Sequence, residues 1–200
     1  MAGTLPHAVF VETDIDEDGT AAAFAGELPG CAAVAADPGT AVAALPARVS
    51  AFVAWLRGHG ESLVEPVGNW YEVERAAAVR RDGASQRASF SLDDLPPSAS
   101  ELQTWLRWAE LAREDLAAAL DAQPRAADDA AWLADQDLAL AADLGAGGTM
   151  PAGLSGLDRL YAARDRLMDG LSAAPEAGVR RALRLAIADD LRLVERLRGR

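Results

Sequence analysis

The spacing of apolar positions changes several times along the first eighty residues. From His7 to Ile15 a β-favouring run with Val9, Phe10 and Val11 leads into the acidic cluster Asp14, Asp16, Glu17, Asp18, Gly19, which predicts a strand and then a turn. A second extended run, Thr20 to Glu27, ends at Leu28-Pro29-Gly30-Cys31, and a third, Ala32 to Ala36, follows that Pro-Gly break. Three strands in this order predict a meander. Asp37-Pro38-Gly39-Thr40 then opens a helix whose apolar residues Val42, Leu45, Val49, Phe52, Val53 and Leu56 recur in steps of three and four, with Gly58 and Gly60 to stop it. Trp70 to Val79 alternates imperfectly and predicts an added edge strand.

Periodicity is lost from Arg80 to Leu95, where Gly83, Ser85, Ser89 and Asp93-Asp94 precede Pro96-Pro97. A linker is expected there, over residues 81–97. Ser98 with Glu101 spells a capping box, so a helix begins beside Ser98, with Leu102, Trp105, Leu106, Ala109, Ala112, Leu116 and Leu120 as its core stripe. Joints at Gln123-Pro124, Gly145 to Gly153 and Ser172 to Gly178 divide the rest of the chain into three more helices: about Ala126 to Leu144, Leu154 to Leu171 with Leu157, Leu160, Tyr161, Leu167 and Met168 inward, and Glu176 to Arg198. Short joints imply an up-down-up-down bundle. The fold class is therefore α+β, with a small meander-plus-helix domain at 1–80 and a four-helix bundle at 98–200.

Composition adjusts this picture in two ways. Half the residues are apolar, but alanine supplies much of that half, so the core is close-packed and thin. The net charge is −12, with all 19 basic residues arginine, and the chain is acidic on both sides of Leu95 (14 acids against 6 Arg before it, 17 against 13 after). Such a field repels phosphate backbones, and no nucleic-acid partner is expected. The last helix is a local exception with seven Arg against three acids from Val179 to Arg200; these read as a solvated face completing a helix C-terminus. A single cysteine excludes an intrachain disulfide framework. With no leader pattern and no membrane-length run of uncharged apolar residues, the expectation is a soluble cytoplasmic protein with no membrane partner.

Strand, strand, strand, helix, with Glu27-Leu28-Pro29-Gly30-Cys31 at the strand break and Ala54-Trp55-Leu56-Arg57-Gly58-His59-Gly60-Glu61 at the helix end, resembles the HicB-like antitoxin domains over residues 7–61. That resemblance implies a small RNase, toxin-like, as a protein partner, and pairing of two copies as a homodimer. No helix-turn-helix or ribbon-helix-helix pattern comes after it, so DNA binding is not implied. Asp14, Asp16, Asp18 and Gly19 also match the start of an EF-hand loop, but its twelfth position is Ala25 rather than a bidentate glutamate, which favours a solvated hairpin turn. Cys31 lacks a nearby histidine base, since the two histidines are His7 and His59, and reads as a small buried thiol.

The helical half resembles the DinB (YfiT-type) family through Glu101-Leu102, Trp105-Leu106-Arg107-Trp108, Trp132-Leu133-Ala134-Asp135-Gln136-Asp137 to Leu144-Gly145, and Arg180-Arg181-Ala182-Leu183-Arg184 onward. Members that keep the family's metal use one histidine on the second helix and an H-x-x-x-H pair on the fourth. Those positions carry Trp132, Asp189 and Leu193 here, and one carboxylate with two apolar side chains holds no divalent ion. Asp135, Asp137, Asp189 and Asp190 offer an acidic alternative, although adjacent and alternate helical positions point different ways and usually meet water. The joints that shape a substrate pocket in the family are short. Neither a catalytic site nor a cofactor or metal is expected.

No G-x-S-x-G, P-loop, G-x-G-x-x-G or H-E-x-x-H occurs. Gly145-Ala146-Gly147-Gly148 reads as a flexible connector, and the five tryptophans read as packing against alanine-rich helices. The expected function is a non-catalytic interaction or regulatory protein. Two alternatives stay open: a DinB-type metal- or thiol-dependent transferase with an unorthodox site around Asp189, and an apolar small-molecule binder using the former active-site cavity around Trp132 and Leu193.

Overall fold

The structure, a computed structural model, describes residues 6–15, 19–81, 84–123, 126–148, 150–154, 156–173 and 178–199, with backbone alone at 80, 81, 84–86 and 127–130. It is mixed α+β and divides into two compact units, Met1–Leu92 and Asp93–Arg200.

In the first unit β1 (His7–Thr13), β2 (Ala21–Ala25) and β3 (Ala32–Ala35) form the meander, each antiparallel to the next. After α1 (Pro38–Gly58), β4 (Trp70–Ala77) joins the free side of β1 in parallel, giving the order β3-β2-β1-β4. The Pro-Gly break is a tight turn: Cys31 N donates to the Leu28 carbonyl at 2.9 Å, and Gly30 has φ 89°, which suits glycine at the third position of a type II turn. Asp37 caps α1, its carboxylate accepting from the Thr40 hydroxyl at 2.6 Å and the Thr40 N–H at 2.9 Å, and Pro38 sits in the first turn where no N–H is needed.

Every residue of β2 is buried, because both sheet faces are covered. Leu45, Val49, Phe52, Val53 and Leu56 of α1 lie against one face. On the other, Phe10 and its cross-strand neighbour Phe24 meet Phe90, with ring centroids 5.3 and 6.3 Å apart. Small β2 alanines let the layers approach closely. By length and hydropathy alone α1 is sufficient to cross a membrane, yet its six core residues pack on this sheet.

Phe90 lies in the stretch expected as a linker. There β5 (Val79–Arg81) and β6 (Ala84–Gln86) pair as a hairpin, and Ala88 and Phe90 are buried. Glu12, fully buried on β1, anchors this return: its carboxylate accepts from Arg87 Nε at 3.0 Å and from the Ala88 N–H at 2.6 Å. Single buried side chains held by polar anchors leave no periodic trace, so the segment reads as a linker in sequence.

The second unit contains α2 (Ala99–Asp121), α3 (Ala127–Asp143), α4 (Gly156–Ala173) and α5 (Val179–Arg198). The capping box forms as spelled, with Ser98 Oγ accepting the Glu101 N–H and Glu101 accepting the Ser98 N–H at 2.8 Å. α2 packs chiefly on α5 and α3 on α4, around Leu116, Leu120, Leu133, Leu160, Leu193 and Leu197. Tyr161, expected inward, is 43% exposed, whereas Trp105 and Trp108 are buried. The glycine-rich connector rests closely on α4: a Cβ on Gly170 would lie 2.9 Å from the Ala146 Cβ, and one on Gly148 would meet the Arg166 guanidinium.

A buried charge ring as candidate functional site

Four charged residues, one from each of the four helices, lie on buried stripes and meet. Arg113 lies between Ala109 and Leu116, Asp137 between Leu133 and Leu140, Arg164 between Leu160 and Leu167, and Asp190 between Ile187 and Leu193. Three- and four-residue steps aim all four into the shared interior. None is more than 6% exposed.

The four close into a ring of alternating sign. Arg113 grips Asp190 side-on, Nε to Oδ2 at 3.1 Å and Nη2 to Oδ1 at 3.0 Å, and Nη2 also donates to Asp137 Oδ2 at 2.8 Å. Arg164 spans the same pair, Nε to Asp137 Oδ2 and Nη2 to Asp190 Oδ2, both at 3.0 Å. Two guanidinium edges thus face each other across two carboxylates, and each helix is tied to two others. The geometry suits Arg, whose fixed fork bridges two oxygens where a lysine ammonium could not.

Burial sets the electrostatics of the ring. Desolvation pushes the Asp190 carboxyl up to about 6, against the pull of Arg164 and Arg113, while the Asp137 charge pushes the same way as burial. Desolvation also acts to lower Arg164, but attraction to Asp190 and Asp137 outweighs it and holds the guanidinium above its ordinary value. Nη1 of Arg113 and of Arg164 are buried without a hydrogen-bond partner among the described residues, so the ring is neutral in charge yet incompletely satisfied.

A second buried pair joins α5 to the residues before α2. Arg184 Nη2 donates to Asp93 Oδ2 at 2.8 Å, the Asp93 carbonyl accepts the Gly178 N–H at 3.1 Å, and Arg180 reaches the Leu95 carbonyl at 2.8 Å while lying 4.7 Å over the Trp105 ring. The arginines of α5 were expected on a solvated face. Arg184 is instead buried, because Asp93 supplies an internal counter-charge.

The residues that the DinB resemblance assigns to metal positions differ in burial. Trp132 is 36% exposed on α3, while Asp189 and Leu193 are buried on α5. For Trp132 this corrects the reading of the five tryptophans as packing against alanine-rich helices. The acidic set also splits: Asp135 pairs with Arg159 at the surface, but Asp137 and Asp190 are buried rather than solvated, because Arg113 and Arg164 lie beside them, and Asp189 is buried as well. Among the described residues no three His, Cys, Asp or Glu side chains come together as a metal-holding group.

In the first unit Cys31 is buried and in no disulfide, and His59 lies edge-on to Trp55 at the end of α1. His7 Nδ1 is 2.8 Å from Glu27 Oε2, and its ring lies 4.7 Å from that of Trp70. Asp14, with φ 58°, bonds the Thr13 hydroxyl in the β1–β2 connection; the other acids proposed for calcium, Asp16 and Asp18, fall outside the described residues.

Sequence reasoning missed Arg113 and Arg164. The available signal was a charge at a core step on every helix, opposite in sign from one helix to the next. No family model, no curated protein and no solved structure matches the chain.

Proposed function

We propose that this protein is a non-catalytic interaction or regulatory protein, in which a HicB-like unit presents a surface to a small protein partner and a DinB-like four-helix bundle serves as scaffold with its metal chemistry lost. The observation that carries the reading is the charge ring. Ligating a divalent ion requires carboxylate lone pairs, and those of Asp137 Oδ2 and of both Asp190 oxygens already accept from Arg113 and Arg164. Two buried guanidiniums beside the same oxygens also repel a dication.

The partner proposed is a small RNase of the toxin type, by resemblance of the meander and its Leu28-Pro29-Gly30-Cys31 turn. The sheet order supports a surface for it: β4 is an edge strand, with Tyr71 and Val73 exposed. Two measurements on the full chain test the reading. Elemental analysis of protein loaded with zinc, nickel or manganese and then desalted should give well below one ion per chain. A stoichiometric ion lost in Asp189→Ala would overturn it in favour of the transferase. Capture from the native host should recover one small basic RNase, and its consistent absence would sink the partner assignment.

A further inference from the structure

Large apolar side chains left open to water gather in one stretch of the first unit. Of the nine among the described residues, four fall between Val64 and Val73: Val64 is 88% exposed and Val67 73%, and Tyr71 and Val73 follow in β4. Single exposed apolar residues are ordinary, but a run of them this close together marks a contact surface.

The backbone carrying the two valines is tied down. Arg57, near the end of α1, donates from Nε at 3.3 Å and from Nη2 at 3.0 Å to the Leu63 carbonyl. Glu65 accepts from the Ser50 hydroxyl on the same helix, and the Asn69 carbonyl accepts the His7 N–H at 2.8 Å. Polar anchors on α1 and β1 thus hold residues 63–69 while Val64 and Val67 stay outward. A surface fixed in this way loses little freedom when it is covered.

Charge selects what covers it. From Glu61 to Arg75 the chain carries four glutamates against one arginine, and up to Leu95 it carries 14 acids against 6 Arg. An apolar centre in an acidic surround is complementary to a basic partner, and it repels both a second copy of this chain and an anionic lipid surface.

Building on the protein-partner reading above, we propose that residues 63–73 are the seat of that partner, a basic protein that lays an apolar projection on Val64 and Val67 and sets its Lys or Arg side chains against the surrounding glutamates. Tyr71 and Val73 carry the seat on to the β4 edge. The glutamates steer the encounter and the valines hold it, so salt and valine substitution each weaken the complex.

The test uses the full chain in its native host, with the photo-crosslinking residue benzoylphenylalanine in place of Val64, of Val67 or, as a control on the helical unit, of Tyr161. One and the same protein of net positive charge should be joined at 64 and at 67 and not at 161. Once purified, that protein should bind the full chain with a Kd raised roughly tenfold or more by Val64→Asp with Val67→Asp, and raised again between about 0.1 and about 0.5 M salt. Both valines are exposed, so thermal unfolding of the double variant should stay unchanged. Crosslinks at 64 and 67 to a second copy of this chain, to lipid or to an acidic protein would overturn the proposal, as would binding indifferent to the two substitutions. A basic partner joined at 161 but at neither valine sinks the seat and leaves the partner reading standing. No partner joined at any of the three positions sinks both.

Discussion

Arg113 donates three hydrogen bonds to two buried carboxylates, so Arg113→Ala strands Asp137 and Asp190 in the interior with half their counter-charge gone. The expected loss is about 3–5 kcal/mol, read as a lower urea midpoint. Replacing all four ring residues with apolar side chains of similar volume should instead leave stability unchanged or raise it by about 1–4 kcal/mol, because the desolvation penalty disappears together with the attraction. The contrast between single and quadruple variants measures how much the ring is a constraint on arrangement rather than a source of stability. Gly170 is a second position at which one atom matters: the Cβ of Gly170→Ala would sit 2.9 Å from the Ala146 Cβ, and α4 or the connector must shift. Thermal unfolding should show a loss of about 1–3 kcal/mol. At this scale the sequence was partly legible. Leu116, Leu160 and Leu167 were readable as core from their spacing, but Arg113 and Arg164 carry the same spacing with a side chain that normally signals solvent. Only the neighbouring helices decide that a counter-charge awaits each of them.

Local chemistry at the element ends is more self-sufficient. Ser98→Ala removes one half of the capping box and should destabilise α2 by about 1 kcal/mol, visible as reduced helical signal near the transition. The hydrogen bonds from Ser98 hold the Glu101 carboxyl below its ordinary value, so its contribution is present above the ordinary range and is lost as pH falls through the folded value; Glu101→Gln should therefore flatten the acid limb of the stability curve. The capping box, the Pro-Gly turn and the Asp37 cap all formed where the sequence spells them, since each is satisfied by residues three or four apart. The bulge in β4 was not legible. Register slips between Val9 and Phe10, with Val73 as the extra residue, and this puts Glu72 and Arg75 on one side, where Arg75 grips Glu72 at 2.8 and 2.7 Å. A pair three residues apart in an unbroken strand would face opposite sides, which explains why β4 alternates imperfectly in sequence.

At the scale of the whole molecule, the boundary between the two units falls within the residues that read as linker in sequence, and both sides of it are structural. Phe90 completes the sheet core, and Asp93 supplies the buried partner of Arg184. A fragment beginning at Asp93 should accordingly unfold at higher urea concentration than one beginning at Ser98, by about 3 kcal/mol, because the shorter piece deprives Arg184 of its Asp93 bridge. The chain by itself determined most of the elements, the β5–β6 hairpin excepted, together with the turn chemistry between them and most of the apolar stripe of each helix, because these are set by contacts within a few residues. The tertiary structure alone decided which charges lie inside. Whether an aspartate at a helical core step meets water or an arginine depends on residues 24 to 77 positions away, as with Asp137 and Asp190 beneath Arg113, and no local pattern encodes a partner at that distance.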